Sequence, residues 1–282
     1  MNKILKDFNE LVMFKHSIFS LPFIFISMIV AAHGWFGFRL LILGLLAAVS
    51  ARNFAMSFNR FADRDIDARN PRTANRPSVD GRIQSKKQIV FIVLNAIIFI
   101  IVAYFINRLA FYLSIPILAI LAGYSLFKRF SSFAHIILGI SLGLAPIAGV
   151  VAVSATITLW SILLSIGVVF WVAGFDLLYS LQDIEFDKEE GLHSVPSIYG
   201  SKCTLLISKI FHSLTILFWL LFALTYGGGF FAYAGIVVSA IMLYMEHKIV
   251  NKDFNKIDKA FFTMNGYLGI IFFIFILLDI GV

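Results

Sequence analysis

Residues Phe130–Phe175 read FSSFAHIILGISLGLAPIAGVVAVSATITLWSILLSIGVVFWVAGF and contain no Asp, Glu, Lys or Arg. A helix that crosses a bilayer needs about 20 mostly apolar residues. This stretch is long enough for two, with a break expected near Ser154-Ala155-Thr156. Its apolar residues run on without the alternation of a lipid-facing strand, so the spans are expected to be helices. Outward from it the pattern recurs in Ser17–Phe38, Ile89–Ile106, Leu109–Phe127, a pair within Ile210–Met245 broken at Gly227-Gly228-Gly229, and Ala260–Leu278. Leu40–Phe58 is apolar apart from Arg52. The reading is an all-α polytopic membrane protein of nine transmembrane helices, forming one domain over residues 1–282.

Composition agrees. Of 282 residues, 60% are hydrophobic and 14% charged, and the mean hydropathy is +0.91. Soluble domains are about half apolar and about a quarter charged, which excludes a soluble enzyme, a disordered chain and a disulfide-stapled secreted domain. Cys203 is the single cysteine, so no intrachain disulfide forms. No cleaved signal peptide is expected, because the first apolar run is too long and lacks a small-residue cleavage site. The net charge of +7 does not indicate a nucleic-acid binder. With the spans threaded alternately, only Arg39 and Arg108 of the 23 Lys and Arg fall on the side opposite the N-terminus. Lys and Arg gather on the cytoplasmic side, so the N-terminus is placed inside and the C-terminus outside. The partner of the basic face is then the anionic leaflet of the cytoplasmic membrane and any charged molecule that binds there.

Two cytoplasmic connections are long, roughly Asn59–Gln88 and Gln182–Lys202, and they hold most of the acidic residues. The first begins Asn59-Arg60-Phe61-Ala62-Asp63-Arg64-Asp65-Ile66-Asp67, the second Tyr179-Ser180-Leu181-Gln182-Asp183-Ile184-Glu185-Phe186-Asp187. Polar groups recur every four residues in each, and each member of the second set follows its counterpart by 120 residues. This spacing implies two four-helix pseudo-repeats plus a ninth helix. Residues four apart share a helix face about 6 Å apart. Like charges there repel, and divalent cations relieve the repulsion. Magnesium takes one or two carboxylates together with water and phosphate oxygens, so two facing acidic ends can hold a metal-bound diphosphate. A solvated helix boundary is the plain alternative. A calcium loop fails, because Ala68 and Ala74 stand where Gly and Glu are needed.

Arg69, Arg72 and Arg76 follow the first motif, with Pro71 and Pro77 shaping the loop that carries them, and Lys128 and Arg129 end the fourth span on the same side. Positive-inside topology explains Arg69 and Arg129. For Arg72 and Lys128, phosphate contact is an equal alternative. Arg52 lies about two turns inside the second span, where an ionised side chain costs about 2.5–3.5 kcal/mol. It therefore needs a polar cavity or a negative partner. The two readings are an ion pair with Asp176 and a contact with the carboxylate of a small acceptor. His16, His135, His193 and Cys203 are too scattered for a zinc or haem site, and Gly139-x-x-x-Gly143 reads as helix packing.

Asn59-x-x-x-Asp63-x-x-x-Asp67 followed by Arg-Asn-Pro-Arg-Thr-Ala-Asn-Arg-Pro resembles the first signature of the UbiA family of intramembrane aromatic prenyltransferases, and Tyr179-x-x-x-Asp183-x-x-x-Asp187 the second. Gln182 departs from the pattern, since many members carry Lys there. The resemblance implies transfer of a prenyl chain from an allylic diphosphate to an aromatic ring with Mg2+ as cofactor. It implies that Asp63, Asp67, Asp183 and Asp187, with Asn59, bind metal and diphosphate. Arg72 and Lys128 match diphosphate-contacting cations, Tyr124 and Tyr179 line the cavity near the ionising carbon, and Arg52 matches a position linked to the carboxylate of the aromatic acid. Phe14-Lys15-His16-Ser17 through Leu21-Pro22 resembles members that act on 4-hydroxybenzoate or a similar acid. A dihydroxynaphthoate is the alternative acceptor, and a transporter with an acidic cytoplasmic site is the alternative from another class.

Overall fold

The computed structural model describes residues 3–13, 21–252, 257 and 260–281, with the side chains of 3–5, 252 and 260–262 outside the description. All of its regular secondary structure among these residues is helical. The chain runs α1 (Lys3–Val12), α2 (Leu21–Ala32), α3 (Phe38–Ala62), α4 (Arg64–Arg69), α5 (Ser85–Ile106), α6 (Arg108–Phe127), α7 (Ala134–Ser154), α8 (Leu159–Ser180), a 3₁₀ turn (Leu181–Asp183) and α9 (Ile184–Glu189). It continues through α10 (Val195–Tyr226), α11 (Phe230–Lys252), a π turn (Ala260–Asn265) and α12 (Gly266–Ile280).

Among the described residues eight helices are long and apolar enough to cross a membrane. The ninth segment expected, at Ser17–Phe38, appears as α2, which has 12 residues and falls short of that length. The expected segment's first residues, 17–20, lie outside the described residues, as do most of the Phe14–Pro22 stretch and His16. The breaks fall where the sequence places them. Asn107 accepts the amide of Ala110 at 2.8 Å and starts α6. Ala155 ends α7 and Gly227 ends α10, both in the left-handed region, which glycine enters at no steric cost. The Asp279 carboxylate accepts Tyr226 Oη, Gly229 N and Ala232 N at 2.8–3.0 Å, tying the start of α11 to the end of α12.

The two long connections are not open loops. α3 runs on to Ala62, and α4, the 3₁₀ turn and α9 continue the acidic motifs as short helices. Helical hydrogen bonding persists because Asp63 N still reaches Asn59 O (2.9 Å) and Asp67 N reaches Asp63 O (2.8 Å). The non-helical remainder is short, residues 70–84 and 190–194.

α8 is the central helix, packed between α7 and α10, with α2 against α7 and α12. Its neighbours approach closely because they present small residues. A Cβ on Gly143 of α7 would fall 2.5 Å from Val169 Cγ2 and 3.1 Å from Ser165 O, so the Gly139–Gly143 pair is a packing face. Phe23, Trp171, Trp219, Phe222 and Phe272 interlock behind it. Outward-facing Ile97, Ile101, Leu217, Leu224, Val237 and Ile241 leave an exposed apolar belt, as expected of a surface that meets lipid.

Candidate active site

α3 and α8 bring their acidic ends to one cavity. Arg52, Asn59, Asp63, Asp67, Arg72, Tyr124, Lys128, Tyr179, Asp183 and Asp187 all line it. The reason is helical register. On α8, Val172, Phe175, Asp176 and Tyr179 recur at three- and four-residue steps and share one face, which Asp183 extends from the 3₁₀ turn that follows. On α3, Arg52, Met56 and Asn59 do the same.

Asp63 and Asp67 are buried, at 2% and 4% exposure. Lys128 Nζ stands 2.8 Å from Asp63 Oδ2, which also accepts Asn59 Nδ2 at 3.0 Å. Burial pushes the Asp63 carboxyl above the usual carboxylate range, against the pull of Lys128. Arg76 Nη1 binds Asp67 Oδ1 at 2.6 Å, and the buried Arg60 lies 4.0 Å from Asp67 Oδ2.

The second motif is held from across the cavity. The turn after α4 carries Asn70 and Arg72 to Asp183: Asn70 Nδ2 donates to Oδ1 at 3.1 Å, and Arg72 donates through Nε (3.0 Å) and Nη2 (2.5 Å). Asn70 Oδ1 accepts the Arg72 amide at 2.9 Å, which fixes the turn. Arg72 Nη1 donates to Tyr179 Oη at 3.0 Å. His193 N donates to Lys128 O at 2.9 Å and joins the residues after α9 to the end of α6.

Arg52 and Asp176 do not pair. Arg52 Nη2 donates to the carbonyls of Met13 (3.0 Å) and Val12 (3.4 Å) at the end of α1. Asp176 is taken by His135, with Nδ1 2.7 Å from Oδ2. The sequence missed this because α1 was not foreseen as an element, and because His135 and Asp176 lie on different helices. Arg69 binds Glu190 at 2.7 Å and Arg129 binds Asp65 at 2.6 Å, in keeping with a structural role for both. Arg129 holds the Asp65 carboxyl below the usual carboxylate range.

Below the charged groups the cavity turns apolar. Arg52, Met56, Tyr124, Leu138 and Leu142 line both the polar chamber and a second chamber that continues past Ala51, Phe99, Leu113 and Ala148. On α6 the lining runs from Ala110 to Tyr124, about 20 Å of helix at 1.5 Å per residue. One end suits an anion and the other an extended hydrocarbon.

Among the described residues no three of His, Cys, Asp and Glu converge into a cage for a metal ion. Two buried carboxylate oxygens, Asp63 Oδ1 and Asp67 Oδ2, have no hydrogen-bond donor. That is the donor set of a site where protein supplies one or two oxygens per ion and a phosphate ligand completes the shell, as magnesium prefers.

The comparisons with known proteins agree with this geometry. The chain is 29% identical over 223 residues to the 4-hydroxybenzoate octaprenyltransferase of Serratia proteamaculans, covering 78% of this chain and 76% of the relative. It is 28% identical over 256 residues to that of Saccharophagus degradans, covering 90% and 84%. Its fold matches the apo structure of a UbiA homolog from Aeropyrum pernix K1 with a TM-score of 0.84 at 32% identity, over 94% of this chain and 98% of the other. A UbiA homolog from Archaeoglobus fulgidus, solved bound to GPP and Mg2+, shares the fold with a TM-score of 0.80 at 20% identity, over 98% and 100%. The UbiA prenyltransferase family matches residues 20–276. The transporter alternative falls with that match: the chain belongs to the UbiA prenyltransferase family and is an integral membrane polyprenyltransferase.

Proposed function

We propose that the protein transfers a polyprenyl group from an allylic prenyl diphosphate to a ring carbon of an aromatic hydroxy acid, with 4-hydroxybenzoate as acceptor and Mg2+ as cofactor. The observation that carries this reading is the convergence of the two acidic helix ends, with Arg72, Arg76 and Lys128, on one chamber that opens into an apolar one. The names of the curated relatives support the acceptor. The GPP- and Mg2+-bound homolog of the same fold supports the diphosphate and the metal. The lysine and arginine bias along the chain supports a site at the cytoplasmic face, with the N-terminus inside.

In this reading Asp63 and Asp67 hold metal from the α3–α4 junction, and Asp183 and Asp187 hold it from the α8–α9 junction. Bound there, Mg2+ neutralises charge that develops on the departing diphosphate. Arg72 and Lys128, resting on Asp183 and Asp63, turn to phosphate oxygens when substrate enters. The apolar chamber takes the prenyl tail and excludes water from the allylic carbon. The ring faces of Tyr124 and Tyr179 stabilise the allylic cation. Arg52 exchanges the Val12 and Met13 carbonyls for the acceptor carboxylate, a stronger, charge-assisted partner. The ring carbon ortho to the acceptor hydroxyl attacks.

The test is purified protein in detergent with prenyl diphosphate and, in parallel, 4-hydroxybenzoate and a dihydroxynaphthoate. Prenylated 4-hydroxybenzoate that disappears with EDTA and returns with Mg2+ is the expected result. Turnover on the naphthoate alone would move the acceptor to the bicyclic acid. Turnover on neither would end the aromatic-acceptor reading.

A further inference from the structure

The buried pair of His135 on α7 and Asp176 on α8 has no part in gripping the diphosphate, yet both residues line the polar chamber. Its protonation follows from its partners. Val195 N reaches His135 Nε2 at 3.4 Å, and a backbone N–H only donates, so Nε2 is the unprotonated nitrogen. The ring hydrogen is therefore on Nδ1, which donates to Asp176 Oδ2 at 2.7 Å. The Asp176 carboxylate is the acceptor of that bond. His135 is 7% exposed and Asp176 24% at the side chain, so the histidine is fixed while the carboxylate reaches the chamber. The His135 bond falls on Oδ2 and leaves Asp176 Oδ1 on the chamber side of the pair, with no hydrogen bond to it from the described residues.

Depth gives the pair its task. Asp176 on α8 precedes Asp183 of the following 3₁₀ turn by seven residues, and Arg52 precedes Asn59 by seven on α3, about 10 Å along each axis. The two are therefore at matched depth on the two helices that lead into the acidic ends, beneath the diphosphate site, with Arg52 where the chambers meet and Asp176 on the polar chamber. An aromatic hydroxy acid has a carboxylate at one end and a hydroxyl at the other. Arg52 suits the first, and a carboxylate oxygen with a free lone pair suits the second.

We propose that Asp176 is the proton acceptor for the hydroxyl of the aromatic substrate and that His135 is its positioning residue; this rests on the aromatic-acceptor reading above. The hydroxyl proton passes to Asp176 Oδ1 as the ortho carbon forms its bond to the allylic carbon. The allylic C–O bond breaks, and its electron pair leaves with diphosphate. The resulting neutral dienone gives its ring proton to diphosphate and takes back on oxygen the proton held by Asp176. His135 keeps the carboxylate aimed throughout. The plain alternative is a buried pair that only ties α7 to α8.

The experiment compares wild type with Asp176→Asn, His135→Gln and His135→Leu, each with 4-hydroxybenzoate and its more acidic 3-fluoro analogue. Binding of prenyl diphosphate is measured alongside. A positioned general base is worth about 10²–10⁴-fold. Asp176→Asn is expected to lower kcat at least about 100-fold and to bind prenyl diphosphate like wild type. Its deficit shrinks with the fluorinated acceptor, whose hydroxyl releases its proton more readily. His135→Gln, which retains an N–H donor, keeps most of the activity, and His135→Leu does not. If Asp176→Asn fails to accumulate, the contrast between the two His135 variants across the two acceptors decides in its place. A deficit equal for both acceptors, or turnover near wild type, overturns the proposal. Wild type inactive on every aromatic acid overturns the function reading instead.

Discussion

The two acidic helix ends repeat in sequence and differ in surroundings. Asp63 and Asp67 are buried and are met by Lys128, Arg76 and Arg60. In the second motif none of the α9 residues is buried, and Asp183 is gripped by Asn70 and Arg72, which arrive from the turn after α4. Among the described residues, the cations paired with these aspartates, Arg60, Arg72, Arg76 and Lys128, belong to the first half of the chain. The two motifs thus differ in how their charge is met. The first motif is met by countercharges of its own half, and the second leaves the neutralisation of Asp183 to that same half. Position 59 against 179 shows the same division: Asn59 donates to Asp63, whereas Tyr179 accepts from Arg72.

The asymmetry orders the expected effects of mutation. Asp63→Ala should be the most damaging, because removing one partner of a buried charge pair costs about 3–5 kcal/mol. At 1.36 kcal/mol per tenfold, prenyl transfer should fall by at least about 100-fold. Asp183→Ala should follow, since the carboxylate it removes is the more accessible of the two. If it proves the worse substitution, the first motif is not the principal seat. Arg72→Ala sharpens the comparison from the cation side. Loss of a charged, two-point hydrogen bond is worth about 1.5–3 kcal/mol, so turnover should drop about 10- to 100-fold. Arg72→Lys should not restore it, because an ammonium lacks the planar fork. Arg129→Ala should change turnover least, within about twofold, as an exposed ion pair is worth about 0–1 kcal/mol. Its signature is in stability. Arg129 lowers the folded pKa of Asp65, so the pair stabilises above the ordinary carboxylate pKa of about 3.9 and loses that contribution as pH falls. A small melting-temperature decrease at pH 7 that closes in acid is expected.

What was legible in the sequence and what was not divides by range. Helix ends at Asn107, Ala155 and Gly227 were readable because they depend on local chemistry: a side-chain cap, a gap in apolarity, a left-handed glycine. The two motifs were readable because four-residue spacing fixes a helix face whatever lies opposite. The grip of Asn70 on Asp183 and the pairing of His135 with Asp176 were not, since each joins elements whose approach is set by packing, here by Gly139 and Gly143 against α8. Arg52 illustrates both sides. Its depth correctly announced a buried charge needing a partner. The partner turned out to be the carbonyl end of α1, a short amphipathic helix outside any span. The acidic connections were read as loops because charge marks the membrane boundary more sharply than it marks the end of a helix.

The central claim is that the two acidic ends act as one seat for a single diphosphate. Equilibrium binding of prenyl diphosphate in the presence of Mg2+ to wild type, Asp63→Ala, Asp183→Ala and the double variant tests it directly. The expected result is strong coupling, with each single substitution weakening binding nearly as much as both together. Losses that simply multiply, or one single variant that binds like wild type, would show two independent sites and contradict it.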